Sequence, residues 1–181
     1  GVSQMFKSVS WLPDDDEAKL LKVPEISSAD PILGLPSDFV RNGTHTAFFV
    51  VGYDTSTGVG GPWILAEGRN VEASGEVVLD RALARINDVR IGDTVRIVDE
   101  DFTVVGLSKQ TAAATNFYSF ISLADAKRLL RAGDRVSYFL TQPKPGYTDE
   151  DVVAAIARDL PGVSALTSAR FADNSRDIIV K

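Results

Sequence analysis

At 181 residues the chain can fold as one large domain or two closely connected subdomains, and 44% hydrophobic against 24% charged residues is the balance of an ordinary globular protein with a packed core. A net charge of −6 announces no basic surface for nucleic acid or anionic lipid. The lack of cysteine excludes disulfides, thiolate nucleophiles and thiolate metal sites, and no run approaches the roughly 20 apolar residues that cross a bilayer.

The first elements are a strand, a turn and a helix. The segment Met5–Leu33 opens on an apolar, partly alternating strand that Pro13 ends, because proline cannot donate to a ladder. Asp14, Asp15, Asp16 and Glu17 then place negative charge on the first turn of a helix, where it complements the dipole. Pro24 stops that helix and leads into Ile26 and Ser27. Ala47–Tyr53 is a strongly apolar predicted strand, and Thr55–Pro62 a glycine-rich loop.

Next, Gly75–Ile86 reads as a short buried strand, Asp80 as N-cap, and a helix carrying Leu83 and Ile86. Ile91–Leu107 reads as two strands around a polar turn at Asp99–Asp101. Asn116–Ile121 is predicted to be a strand, since Ser122 with Asp125 caps the next helix, Leu123–Arg131. The last part, Arg135–Ser168, repeats the first: a strand ended by Pro143, a capping box of Thr148 and Asp151, and a helix with Val152, Val153, Ile156 and Leu160 at core spacing. Pro161, Val163 and Ser164 match Pro24, Ile26 and Ser27.

Two such β-α-β units predict an α+β fold in which a pseudo-duplicated subdomain, residues 1–54 and 117–181, receives a β-rich insertion, residues 55–116. The chain begins at Gly1 without an initiator Met and stops at Lys181, just after the apolar Ile178, Ile179 and Val180, which reads as a fragment of a longer protein.

Candidate chemistry is sparse. His45 is the single histidine, in a polar Thr44-His45-Thr46 segment, and no Gly-x-Ser-x-Gly elbow accompanies it. The run Asp14–Glu17 lacks the spacing of a calcium loop and is expected to be a helix start. Asp99, Glu100 and Asp101 are expected to be a solvated hairpin tip. Gly58–Gly61 lacks the Gly-Lys-Ser/Thr ending of a phosphate loop, and Asn42-Gly43-Thr44 is expected to be a turn. The segment with the character of a contact surface is Ala112, Ala113, Ala114, Thr115, Asn116, Phe117 and Tyr118, where small residues precede aromatics that can anchor a partner.

The middle of the chain also carries a resemblance. Gly68-Arg69, Glu76-Val77-Val78-Leu79, Ala82-Leu83-Ala84, Ile91-Gly92-Asp93-Thr94-Val95, Phe102–Leu107 and Phe120–Ala126 resemble, in this order, the periplasmic core domain of MacB/FtsX-type ABC-transporter permeases, over about Val9 to Thr167. The resemblance implies a porter-like α/β subdomain with an inserted, sabre-like β-rich subdomain, placed between the first and second membrane spans of a four-span permease. It further implies a location on the extracytoplasmic side of the bacterial cytoplasmic membrane and partnership with a cytoplasmic ABC ATPase through those spans. A second permease subunit and a membrane-fusion or adaptor protein are implied too. No enzyme activity and no cofactor in this domain is implied, ATP being used by the separate cytoplasmic component. The expected role is to couple ATP hydrolysis to export, or to an extracytoplasmic process, by conformational movement. The alternative expectation is a stand-alone ligand- or partner-binding module.

Overall fold

Local chemistry sets where the elements start and stop. The computed structural model describes residues 3–6, 12–41, 43–113 and 116–167. Strand β1 is Ser3–Phe6, β2 Leu12–Pro13, helix α1 Asp16–Leu21, β3 Ile26–Arg41 and β4 Thr44–Tyr53. Then come β5 (Leu65–Gly68), β6 (Glu76–Asp80), α2 (Arg81–Ile86), β7 (Thr94–Ile97), β8 (Glu100–Ser108), β9 (Ala112–Ala113) and β10 (Asn116–Ser122). The described chain closes with α3 (Leu123–Leu130), β11 (Arg135–Val136), β12 (Tyr138–Pro143), α4 (Asp149–Asp159) and β13 (Ser164–Thr167).

These elements form two compact units. The first uses the chain up to Pro31 and from Asp134 onward; the second uses Ile32–Gly133. The inserted unit is thus wider than the expected 55–116. The reason is pairing: the outer part of β3 and all of β4 hydrogen-bond in register from Ile32↔Tyr53 to Arg41↔Thr44, and β4 pairs with β10. Segments expected to belong to the duplicated subdomain are therefore strands of the insertion.

In the first unit the strand order is β13-β1-β12-β3. The two matching copies, β1-α1-β3 and β12-α4-β13, interleave, which is the arrangement of a split β-α-β pair. β1 runs antiparallel to both its neighbours, with Ser3 opposite Thr141 and Thr167. Helix α4 buries Val152, Ala155 and Ile156 at helical spacing, while Val153 and Leu160 are half-buried. Its start carries both bonds of the capping box: Thr148 Oγ1 accepts from the Asp151 amide at 3.2 Å, and Asp151 Oδ2 accepts from the Thr148 amide at 2.8 Å. Helix α1 buries Leu20 and also Asp16, whose carboxylate accepts from Lys19 at 2.8 Å. Arg158 at the end of α4 forks onto Glu25 just before β3, at 3.2 Å to each oxygen.

In the second unit the order from β3 is β4-β10-β6-β8-β5, with β7 also on β8. β4 and β10 are parallel, as are β6 and β8; the other pairs are antiparallel. Side chains alternate across β4 and β10. Phe48, Val50 and Ile121 point into a core shared with Leu33, Val77, Leu79, Val104 and the buried residues of α2 and α3, among them Leu83 and Ala126. Close approach requires glycine at Gly52 and Gly106, among other positions. A Cβ on Gly52 would lie 2.3 Å from the Ala126 Cβ of α3, and one on Gly106 would lie 2.2 Å from the Arg69 carbonyl oxygen.

Several expectations change here. The turn between β7 and β8 is Val98–Asp99, with Ile97 opposite Glu100, so Glu100 and Asp101 are strand residues. Ile86 is exposed at the end of α2, whereas Leu83 is fully buried. The long β3 lay hidden in the sequence behind Pro31, Gly34 and Pro36, residues that weaken a strand pattern.

Candidate partner-contact site

The Ala112–Tyr118 segment folds as a short hairpin that runs into a core strand. β9 pairs antiparallel with the start of β10, Ala113 opposite Asn116 and Ala112 opposite Phe117. Ala114 and Thr115 lie outside the described residues. Phe117 and Tyr118 lie in the predicted strand, now β10, and both are half-buried, opposite Phe48 and Phe49 of β4. Phe117 packs against the core of the second unit.

Tyr118 points to the other face and meets Phe49 edge-to-face, ring centroids 6.0 Å apart. Phe120, two residues on and on that same face, contacts Tyr53 at 6.4 Å and Trp63 at 6.3 Å, both edge-to-face. The result is an aromatic stripe across β4 and β10, with Trp63 on its border 62% exposed. Pro62 and Trp63 follow the glycine-rich loop. A Cβ on Gly61 would lie 2.7 Å from the Tyr53 ring, so the end of the loop packs against the stripe. Sequence reasoning saw Thr55–Pro62 only as a flexible loop; its signal was the tryptophan immediately after it.

The base of the hairpin is fixed by buried polar groups. Thr111, 1% exposed, donates from Oγ1 to Asp80 Oδ2 at 2.5 Å and contacts Ser108 Oγ at 2.6 Å. The other Asp80 oxygen, Oδ1, accepts from the amides of Ala82 at 2.7 Å and Leu83 at 3.3 Å, the N-cap bonds expected of it. Tyr118 donates its amide to the Thr111 carbonyl at 3.1 Å.

The remaining candidate groups have structural partners. His45 is exposed on β4 and pairs through Nδ1 with Asp38 of β3. Ser122 caps α3 as expected, accepting from the Asp125 amide at 3.1 Å. The Asp125 carboxylate does not turn back to complete a capping box. It is buried and accepts from Ser74 Oγ at 2.5 Å, from the Gly75 amide at 2.8 Å and from Arg128 at 2.7 Å. Burial pushes Asp125 up, but Ser74, Gly75 and Arg128 outweigh it and hold the carboxyl below the usual range. Arg128 also forks onto Glu100, at 2.9 and 3.1 Å from Nε and 2.6 Å from Nη2, so the first residue of β8 is tied to α3 rather than left in solvent. Among the described residues no group of acidic or histidine side chains has the arrangement of a metal site.

With this geometry in place, the comparisons are specific. The model of the MacB-like periplasmic core domain matches residues 2–159. The chain belongs to that family. MacB-like architecture also appears among solved structures. The periplasmic region of MacB from Actinobacillus actinomycetemcomitans is 14% identical over 97% of this chain and 92% of that one, with a TM-score of 0.69. The extracellular domain of the noncanonic ABC-type transporter YknZ from Gram-positive bacteria is 10% identical over 92% of this chain and 100% of that one, at 0.67. A domain of a permease protein from Porphyromonas gingivalis is 12% identical over 91% and 87%, at 0.59. At these identities the structural likeness establishes the fold, while the family model establishes membership. No curated protein matches the chain. The MacB-like domain is thus the periplasmic domain of an ABC-transporter permease, and no helix among its described residues is long and apolar enough to span a membrane.

Proposed function

We propose that this MacB-like domain couples a cytoplasmic ABC ATPase, through the permease's membrane spans, to export or another extracytoplasmic process. It does so by conformational movement and with no catalytic centre or cofactor of its own. Its partners are a second permease subunit and a membrane-fusion or adaptor protein. The Ala112–Tyr118 hairpin, extended by Trp63, is the surface that meets the adaptor. The observation that carries this reading is the exposed Trp63 packed edge-to-face on Phe120, in the strand that also carries half-buried Tyr118, within a transporter-permease domain. Tryptophan and tyrosine are the side chains that most often dominate an interface. ATP-driven movement requires that partner and nucleotide favour different conformations of the assembly.

The test is the ATP turnover of the membrane-reconstituted transporter, titrated with its adaptor protein. Trp63→Ala and Ala114→Arg are expected to weaken adaptor-stimulated turnover about tenfold or more, the scale of losing one aromatic anchor, with basal turnover unchanged. Full stimulation of both variants at wild-type adaptor concentrations would refute the surface.

A further inference from the structure

Between the end of β8 and the start of β9 the chain passes through exposed Lys109 and Gln110 and then turns a single side chain inward, that of Thr111. Gln110 has φ +59°, in the left-handed region that few non-glycine residues adopt. The hydroxyl so delivered reaches a carboxylate already at work elsewhere. Asp80 ends β6, is 2% exposed, and caps α2 through Oδ1 while accepting from Thr111 through Oδ2. An ionised carboxylate only accepts, so Thr111 donates to Asp80. Behind it Ser108 Oγ lies 2.6 Å from Thr111 Oγ1 and 3.3 Å from the Leu79 carbonyl oxygen, so the Thr111 hydroxyl is held from both sides.

We infer that Asp80 couples the hairpin to helix α2: displacement at Ala112–Tyr118 is felt in the first turn of α2, and loosening of α2 is felt at the hairpin. Buried hydrogen bonds sharing one acceptor do not change independently. When Thr111 is drawn away, Oδ2 loses its buried donor and the carboxylate reorients, taking Oδ1 off the amides of Ala82 and Leu83. Thr111 and Asp80 are positioning residues for the hairpin. Their use in transport rests on the reading of that hairpin as the partner-facing element, but the coupling is a property of the domain alone and is measured without a partner.

The test is amide hydrogen exchange on the whole domain. Thr111→Val keeps the side chain's shape and removes its hydroxyl. Loss of protection by about tenfold, the scale of one buried hydrogen bond, is expected at Tyr118, Ala82 and Leu83 together. The Asp125 amide, held by Ser122 in a cap of the same kind within the same unit, is expected to keep wild-type exchange. Coupling is reciprocal, so Ala82→Gly, which weakens the first turn of α2, is expected to speed exchange at Tyr118. The inference is overturned if Thr111→Val changes Tyr118 without Ala82 and Leu83. It is overturned equally if protection falls uniformly, Asp125 included, or if Ala82→Gly leaves Tyr118 unmoved. The adaptor titration of the Trp63 and Ala114 variants fails or succeeds separately, because it reads partner-stimulated turnover, whereas the exchange experiment uses the domain alone.

Discussion

Glu76, at the start of β6, gathers donors from its own neighbourhood. Its Oε1 accepts from Arg69 at 3.0 Å and from the amides of Glu72 at 3.0 Å and Ala73 at 2.8 Å, and its Oε2 pairs with the second Arg69 nitrogen. The Arg69 hydrogen bond is the main cause that lowers its pKa from 4.5 to about 2, with the two amides and the Arg69 charge adding to it and burial opposing. The folded value lies below the unfolded one, so the stabilisation is fully present above pH 4.5 and is lost as pH falls toward about 2. Glu76→Gln is expected to flatten the acid limb of stability against pH within that window, read as denaturant midpoints at successive pH values. An acid limb as steep as in the wild type would show that Glu76 does not titrate this way. In the sequence Arg69 stands out only as part of the Gly68-Arg69 pair, with no partner indicated. The loop that curls Glu72 and Ala73 back onto the same oxygen is what selects Glu76.

Elements defined by short-range chemistry were legible. The caps of α2, α3 and α4 depend on residues two or three positions apart, and Asp80, Ser122 and Thr148 make the bonds their spacing implied. Roles defined by distant partners were not. Asp125 looked like the third residue of a capping box, yet its carboxylate goes to Ser74 and Gly75, a loop some fifty residues away in sequence. Glu100 likewise belongs to Arg128. The start of β3 was implied by the β-α-β pattern but its length to Arg41 was not, because Pro31, Gly34 and Pro36 weaken a strand pattern, and Trp63 was missed because its value comes from the ring of Phe120 beneath it. At this scale the glycines of the sheet give a graded prediction. In Gly106→Ala the new methyl would meet backbone at 2.2 Å, which cannot retreat without shifting β5 or β8; in Gly34→Ala it would meet the Phe49 ring at 2.6 Å, which can rotate. Gly106→Ala is expected to cost about 3 kcal/mol and Gly34→Ala about 1 kcal/mol, measured by urea denaturation. Equal costs would contradict the assignment of Gly106 to a backbone-to-backbone approach.

At the scale of the whole chain, the duplication was readable because Pro24-x-Ile26-Ser27 and Pro161-x-Val163-Ser164 mark equivalent helix ends in both copies. The extent of the insertion was not, since β4 and β10 are apolar strands that would suit either unit and only their pairing assigns them. A coupling domain must receive energy spent on the cytoplasmic side of the membrane. The direct measurement is hydrogen exchange of the domain within the membrane-reconstituted transporter, nucleotide-free and trapped with ATP. ATP is expected to change protection at the Ala112–Tyr118 hairpin and at the first turn of α2. Identical exchange in the two states throughout residues 3–167 would contradict the coupling role.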